Sequence, residues 1–250
     1  GRARACSCRD RDAVARLIEA AGIPPRYRHY RLSSFKVSSE SAPMRDQLTQ
    51  ALSVAHQYAA GFVLEGGRFR ESGLLFMGPA GAGKTHLAVG VLLEIVEHYR
   101  VHARFAEFTS LIHQIQDTFD PNSPESKRKI LDPLVEAELL VLDELGSQKP
   151  TPWVRDILYL IINHRYTHRL PTIFTTTYLF EPAPLRGSKP RTVTSLDRGR
   201  DPEQIATTEP LSSRLPAELV SRLYEMAQPV VLNTVEDFRK EQKVHGAYQR

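Results

Sequence analysis

Residues 78–85 read Gly-Pro-Ala-Gly-Ala-Gly-Lys-Thr and directly follow the apolar run Leu74-Leu75-Phe76-Met77. They match Gly-x-x-x-x-Gly-Lys-Thr at every fixed position, and each fixed position has a physical reason. Backbone N–H groups must come close to phosphate oxygens, and a Cβ on the glycines would obstruct that approach. A helix beginning at Lys84 points the positive end of its dipole at the same oxygens. Lys84 then reaches the β- and γ-phosphates, and the Thr85 hydroxyl is placed to ligate Mg2+. At ordinary residue frequencies, with glycine near 7%, a chance match in a chain of this length is on the order of 1%. Gly78, Gly81, Ala82, Gly83, Lys84, Thr85 and His86 are therefore read as the nucleotide-binding set. The loop limits the fold as well, because it needs a buried strand before it and a helix after it.

The rest of the chain supplies those elements. Leu74–Met77 is apolar throughout, as suits a strand buried on both faces. A helix is predicted from Lys84 to about Tyr99, with Leu87, Val91 and Ile95 on one stripe. Arg104–Phe108 reads as a second strand, followed by a helix through Leu111 and Ile115. Leu139–Leu142 is a third strand. A helix from about Trp153 to Tyr166 carries Trp153, Ile157, Leu160, Ile161 and His164 at helical spacing, and Thr172–Thr177 is a fourth, β-branched strand. Short apolar runs alternating with amphipathic stretches over residues 73–180 predict an α/β fold of βαβ units around a parallel sheet. Residues 1–72 are polar and basic, with helices expected over Asp10 to about Ala21 and Pro43 to about Phe62. Residues 181–210, rich in Pro, Ser, Thr and charge, read as an irregular insertion. Beyond it, Leu215–Ala227 looks helical and Pro229–Asn233 looks like a last strand.

Asp143 and Glu144 end the third strand, and in an open α/β sheet the carboxyl ends of strands face the ligand crevice. Asp143 is expected to hold Mg2+, together with Thr85, and Glu144 to orient and polarise the attacking water. Asp143-Glu144-Leu145-Gly146 also fits the Asp-x-x-Gly of a GTPase. The chain has no Asn-Lys-x-Asp sequence to read guanine, so the acidic pair points to ATP hydrolysis instead.

Composition excludes little. The chain has 250 residues, 41% hydrophobic and 25% charged, which suits a soluble globular protein. No apolar run approaches the 18 or so residues of a membrane-spanning helix. The first six residues, Gly-Arg-Ala-Arg-Ala-Cys, lack a secretory apolar stretch. A cytoplasmic protein is expected. The net charge of +4 allows a nucleic-acid partner without requiring one. Cys6 and Cys8 are too close for a disulfide framework.

Residues Gly78–Thr85, Leu139–Gly146 and the stretch from Thr151-Pro152-Trp153 through Asn163-His164-Arg165-Tyr166 to Pro171-Thr172-Ile173 together resemble the DnaC/DnaI-type AAA+ helicase loaders. The IstB-like transposition helpers are near relatives of these. The likeness runs from about Gly22, in Gly22-Ile23-Pro24-Pro25-Arg26-Tyr27, to Arg239. It implies a P-loop NTPase AAA+ core, a central parallel sheet flanked by helices, with little or no C-terminal lid domain. The core is expected over residues 43–240, after a basic segment 1–42 and before a tail 241–250. The resemblance implies ATP/ADP and Mg2+ as ligands, ATP hydrolysis stimulated by assembly, DNA or partner, and a head-to-tail ring or spiral when ATP is bound. It also implies single-stranded DNA and a replicative DNA helicase as partners, the helicase being held or loaded. Two other readings remain open: a transposition helper acting on duplex DNA, and a nucleotide-gated adaptor with little hydrolysis.

Further residues follow from the resemblance. Relatives end the fourth strand in a polar sensor, typically Asn; here Thr177 stands in that place, with shorter reach. Leu219-Val220-Ser221-Arg222-Leu223 looks like the segment carrying an arginine finger, supplied to a neighbouring subunit. Arg214, in Ser212-Ser213-Arg214-Leu215, competes with Arg222 for that role. Arg239 stands where some relatives place a further basic residue. The family tends to face DNA with the stretch 109–131, here including Lys127-Arg128-Lys129. The insertion's Arg186, Lys189, Arg191, Arg198 and Arg200 read either as DNA-phosphate contacts or as a solvated loop. Cys6 and Cys8 read either as free thiols or as half of a four-cysteine zinc ribbon whose first pair precedes Gly1, because two cysteines alone cannot complete a zinc site.

Overall fold

The computed structural model describes residues 7–38, 41–64, 66–119, 126–147, 150–179 and 210–232. Its frame is a five-stranded sheet, all parallel, of β1 (Gly73–Met77), β2 (Ala103–Glu107), β3 (Leu139–Asp143), β4 (Thr172–Thr176) and β5 (Ala227–Val231). The strands lie in the order β2-β3-β4-β1-β5. β1, β3 and β4 are buried at all five positions, so their continuous apolar runs follow from having helices on both faces. At Gly73 a Cβ would lie 1.7 Å from the Thr172 carbonyl oxygen, so the β1–β4 approach admits only glycine there.

Successive residues point to opposite faces, and the core divides accordingly. Leu74, Phe76, Leu139, Val141 and Ile173 pack on one face with α1 (Ser7–Ala20), α2 (Ala42–Ala60) and α3 (Lys84–Tyr99). Leu75, Met77, Leu140, Leu142 and Phe174 pack on the other. That face is covered by α4 (Phe108–Asp117), α5 (Lys127–Glu136), α6 (Pro152–Thr167) and α7 (Ala217–Met226). Each such buried Leu or Phe contributes roughly 1.5–3 kcal/mol relative to leaving it in water.

Some elements differ from expectation. Leu131, Leu134 and Val135 bury one face of α5, a helix that the charge run and an internal proline at Pro133 conceal in the sequence. On α6 the buried stripe is Val154, Ile157, Leu158, Ile161, Ile162 and Arg165, while Leu160 is 43% exposed. The expected stripe with Leu160 and His164 is thus rotated, because the charged Arg165 points inward. β4 ends one residue early, at Thr176, and β5 starts at Ala227 rather than Pro229. The segment before α2 is part of the core: Ile23, Leu32 and Phe35 are buried in the cluster around α3.

No helix among the described residues is long and apolar enough to cross a membrane. Cys6, the side chain of Cys8, insertion residues 181–209 and Arg239 lie outside the described residues.

Candidate nucleotide site

β4 lies between β1 and β3, which brings the loop after β1 and the acidic end of β3 into one crevice with the β4 threonines. The loop makes its turns with Gly78, Gly81 and Gly83 at φ of 145°, 82° and 91°. Two of them also face close neighbours. A Cβ on Gly78 would lie 2.0 Å from the Leu232 carbonyl oxygen, and one on Gly83 would lie 2.6 Å from the Phe35 ring. Lys84 opens α3 and is buried, its Nζ donating to the carbonyls of Gly78 and Pro79 at 2.8 Å each.

The Thr85 hydroxyl donates to both Asp143 oxygens, at 2.9 and 3.2 Å. Thr175 on β4 donates to the same carboxylate at 2.6 Å, and its Oγ1 also accepts from the Glu144 backbone N–H at 2.9 Å. Asp143 is 1% exposed. Burial pushes its carboxyl up to about 6; the Thr175 and Thr85 hydroxyls and the Lys84 charge oppose the rise, and the Glu144 charge adds to it. Glu144 takes a left-handed backbone, φ 58°, and is exposed. Leu145 N–H donates to the Thr175 carbonyl at 2.8 Å and Thr176 Oγ1 donates to the Leu145 carbonyl at 2.7 Å, so the turn after β3 is tied to β4. The Thr85 hydroxyl and the Asp143 carboxylate are hard oxygen donors already within hydrogen-bond distance, a pair that fits Mg2+.

The structure thus gathers Lys84, Thr85, Asp143 and Glu144 in one crevice. The side chains of His86, Arg222 and Arg214 make their contacts outside that cluster. The His86 ring contacts the segment before α2, with Nε2 2.9 Å from the Arg31 carbonyl oxygen and 3.2 Å from Ser34 Oγ. It stacks on Tyr30 at 4.3 Å and meets Phe35 edge-on, and burial lowers its pKa. Thr177 is half-buried just past β4. Arg222 lies on α7 against Tyr159 of α6, its Nη2 donating to Tyr159 Oη at 3.2 Å. Arg214 stacks over Tyr178 at 4.7 Å.

Two features escape sequence reasoning. Thr175, not Thr177, joins Asp143 to Glu144; its only signal is the run Thr175-Thr176-Thr177, which does not say which hydroxyl faces the carboxylate. The second is the strap of residues 22–35. It lies along α3 through Phe35 at Gly83, Tyr30 and Ser34 at His86, Leu32 at Gly90, and an ion pair of Arg31 with Glu97 at 3.2 Å. Burial, and then the charges of Asp143 and Glu144, push the Tyr27 hydroxyl up.

Comparison with known proteins bears on the fold and the family likeness. The model of the family described as IstB-like ATP binding protein matches residues 64–184. The uncharacterised protein YqaM of Bacillus subtilis is 24% identical over 176 residues, covering 68% of this chain and 53% of YqaM. The replicative helicase loader DnaC of Escherichia coli is 27% identical over 177 residues, covering 70% of this chain and 67% of DnaC. The chain therefore spans about half of the one relative's length and two thirds of the other's. A crystal structure of the DnaC helicase loader superposes with a TM-score of 0.60 at 27% identity, covering 83% of this chain and 99% of that one. The chain has the P-loop AAA+ fold, and it is similar to the IstB-like ATP binding family over residues 64–184 and to the DnaC helicase loader.

Proposed function

We propose that this chain binds ATP with Mg2+, hydrolyses it at an interface between copies, and holds or loads a replicative DNA helicase on single-stranded DNA. The observation that carries the nucleotide part is the Thr85–Asp143–Thr175 cluster beside the Lys84 ammonium. On binding, Lys84 exchanges the loop carbonyls for phosphate oxygens, and the backbone N–H groups of the loop and the α3 N-terminus take the remaining negative charge. Thr85 and Asp143 would hold Mg2+, which would neutralise charge on the phosphates. Glu144, on its left-handed turn, orients the attacking water, and Thr175 fixes that turn through the Glu144 N–H. Thr177 stands by as the γ-phosphate sensor. Arg222, which contacts α6 rather than its own phosphate loop, acts on the site of the next copy. Identity to DnaC over most of this chain supports the helicase role. The family-model match supports ATP binding, and a transposition helper on duplex DNA is the second reading.

Glu144→Gln is expected to lower ATP turnover by about 100-fold or more while leaving ATP binding intact, as removal of a general base does. Lys84→Ala should weaken binding itself. Turnover by wild-type protein with and without DNA, beside direct nucleotide titration, checks both. No turnover under any condition would leave a nucleotide-gated adaptor. Mixing Arg222→Ala with Lys84→Ala protein should restore part of the activity, since each contributes what the other lacks; no rescue rules out a finger acting in trans. Recovery of a helicase with the tagged chain from cell extract favours loading, and tighter binding to duplex than to single-stranded DNA favours the transposition role.

A further inference from the structure

The guanidinium of Arg222 lies 4.7 Å from the Tyr159 ring centroid and 5.7 Å from that of Tyr166. Its Nη2 donates to the Tyr159 hydroxyl oxygen, and its Nη1 is buried with no hydrogen-bond partner among the described residues. Two carboxylates occupy helical spacing on α7, Glu218 four residues before Arg222 and Glu225 three after it. Either spacing permits an ion pair on a helix surface. Neither forms. Glu225 Oε2 instead accepts a hydrogen bond from the Tyr166 hydroxyl at 2.8 Å, and no carboxylate among the described residues pairs with Arg222. The same hydrogen bond raises the Tyr166 pKa.

A guanidinium held, among the described residues, by aromatic faces and a hydroxyl alone is fixed in place yet keeps its charge unspent. Cation–π contact fixes its orientation without supplying a counter-charge. A carboxylate partner would fix it equally well, but would have to be displaced before a phosphoryl oxygen could approach.

We propose that Tyr166 is a positioning residue: by engaging Glu225 it stops that carboxylate from neutralising Arg222, and with Tyr159 it presents the guanidinium as a ready receptor for a phosphoryl group held by a second copy. This rests on the reading of Arg222 as a finger acting in trans. Tyr166→Phe keeps the ring but frees Glu225, which then swings onto Arg222. ATP turnover by the assembled full chain should fall about tenfold, a fraction of the 10³–10⁵ that a whole arginine finger contributes. Adding Glu225→Gln to Tyr166→Phe should restore it, because the amide cannot neutralise the guanidinium. A purely structural role for the tyrosine hydroxyl gives no such rescue.

The experiment compares Arg222→Ala, Tyr166→Phe and Tyr166→Phe/Glu225→Gln, with a crystal structure of Tyr166→Phe. Loss in the second and recovery in the third support the proposal, as does a Glu225 carboxylate within about 4 Å of the guanidinium in the crystal. If Arg222→Ala impairs turnover and Tyr166→Phe does not, the finger stands and the positioning role falls. Loss without rescue also overturns that role, as does a crystal in which the two charges stay apart. If Arg222→Ala has no effect in active protein, the finger reading fails and takes the proposal with it.

Discussion

Asp143→Asn is expected to make the protein more stable and to end its use of Mg2+. The Asp143 carboxyl is 1% exposed and pushed up to about 6 by burial, so the folded state holds its proton more tightly than the unfolded chain, where the pKa is about 3.9. The consequence has a definite sign. Below about pH 4 the group is protonated in both states and costs nothing. Above about pH 6 it is ionised in both, and the folded state carries a penalty of roughly 2 pKa units, about 3 kcal/mol. Stability without Mg2+ should therefore fall as pH rises from 4 to 6. An asparagine removes the penalty: its oxygen still accepts from Thr175, and its amide donates to the Thr85 oxygen. Urea unfolding in EDTA should show wild type and variant alike near pH 4 and the variant ahead by up to about 3 kcal/mol at pH 7. A variant less stable than wild type at pH 7 contradicts this. Mg2+-dependent nucleotide binding should be lost in the same protein, a trade of stability against function.

Arg165 carries the opposite expectation. It is fully buried and makes five hydrogen bonds: to Thr172 Oγ1 at 2.8 Å, to the carbonyls of Leu134, Val135 and Ala137 at 2.9, 3.3 and 2.8 Å, and to the Pro171 carbonyl at 2.8 Å. Burial lowers its pKa to about 9, which leaves it charged at neutral pH. The three carbonyls at the end of α5 are where a cation is best placed against the helix dipole. Arg165→Leu strips all of them, and each buried acceptor left unpaired costs about 1–3 kcal/mol. A loss of about 4 kcal/mol, or roughly 10 °C in thermal midpoint, is expected. Arg165→Lys recovers only part, since one ammonium cannot span helix end, strand and loop together. Calorimetry of both variants measures this; a leucine variant melting within a degree or two of wild type would show the network to be dispensable.

These residues mark the limit of what the sequence discloses. The phosphate loop and the five strands were legible because they are local: short apolar or β-branched runs, and glycines at fixed spacing, with the last strand displaced by two residues. Asp143 was legible because a strand end after a P-loop has few other uses. Arg165 was not, because its acceptors on α5 stand 28 to 31 residues upstream and a charged side chain is ordinarily assigned outward. Thr175 was not, because the pleat puts Thr175 and Thr177 on the same face, and only the pairing of β4 between β1 and β3 selects the one beside Asp143. The boundary expected at residue 43 followed the polarity of residues 1–42, whereas Ile23, Leu32 and Phe35 bury themselves against α3.

Phe35 fills the space where a Gly83 Cβ would stand, and Leu32 does the same at Gly90, with a closest approach of 2.8 Å. A protein trimmed to begin at Pro43 would keep every residue of the P-loop motif yet leave both hollows on α3 open to water. Its folding unit is therefore longer than its motif, and one proteolytic nick between Gly22 and Phe35 would loosen the phosphate loop without cutting any residue of the motif itself.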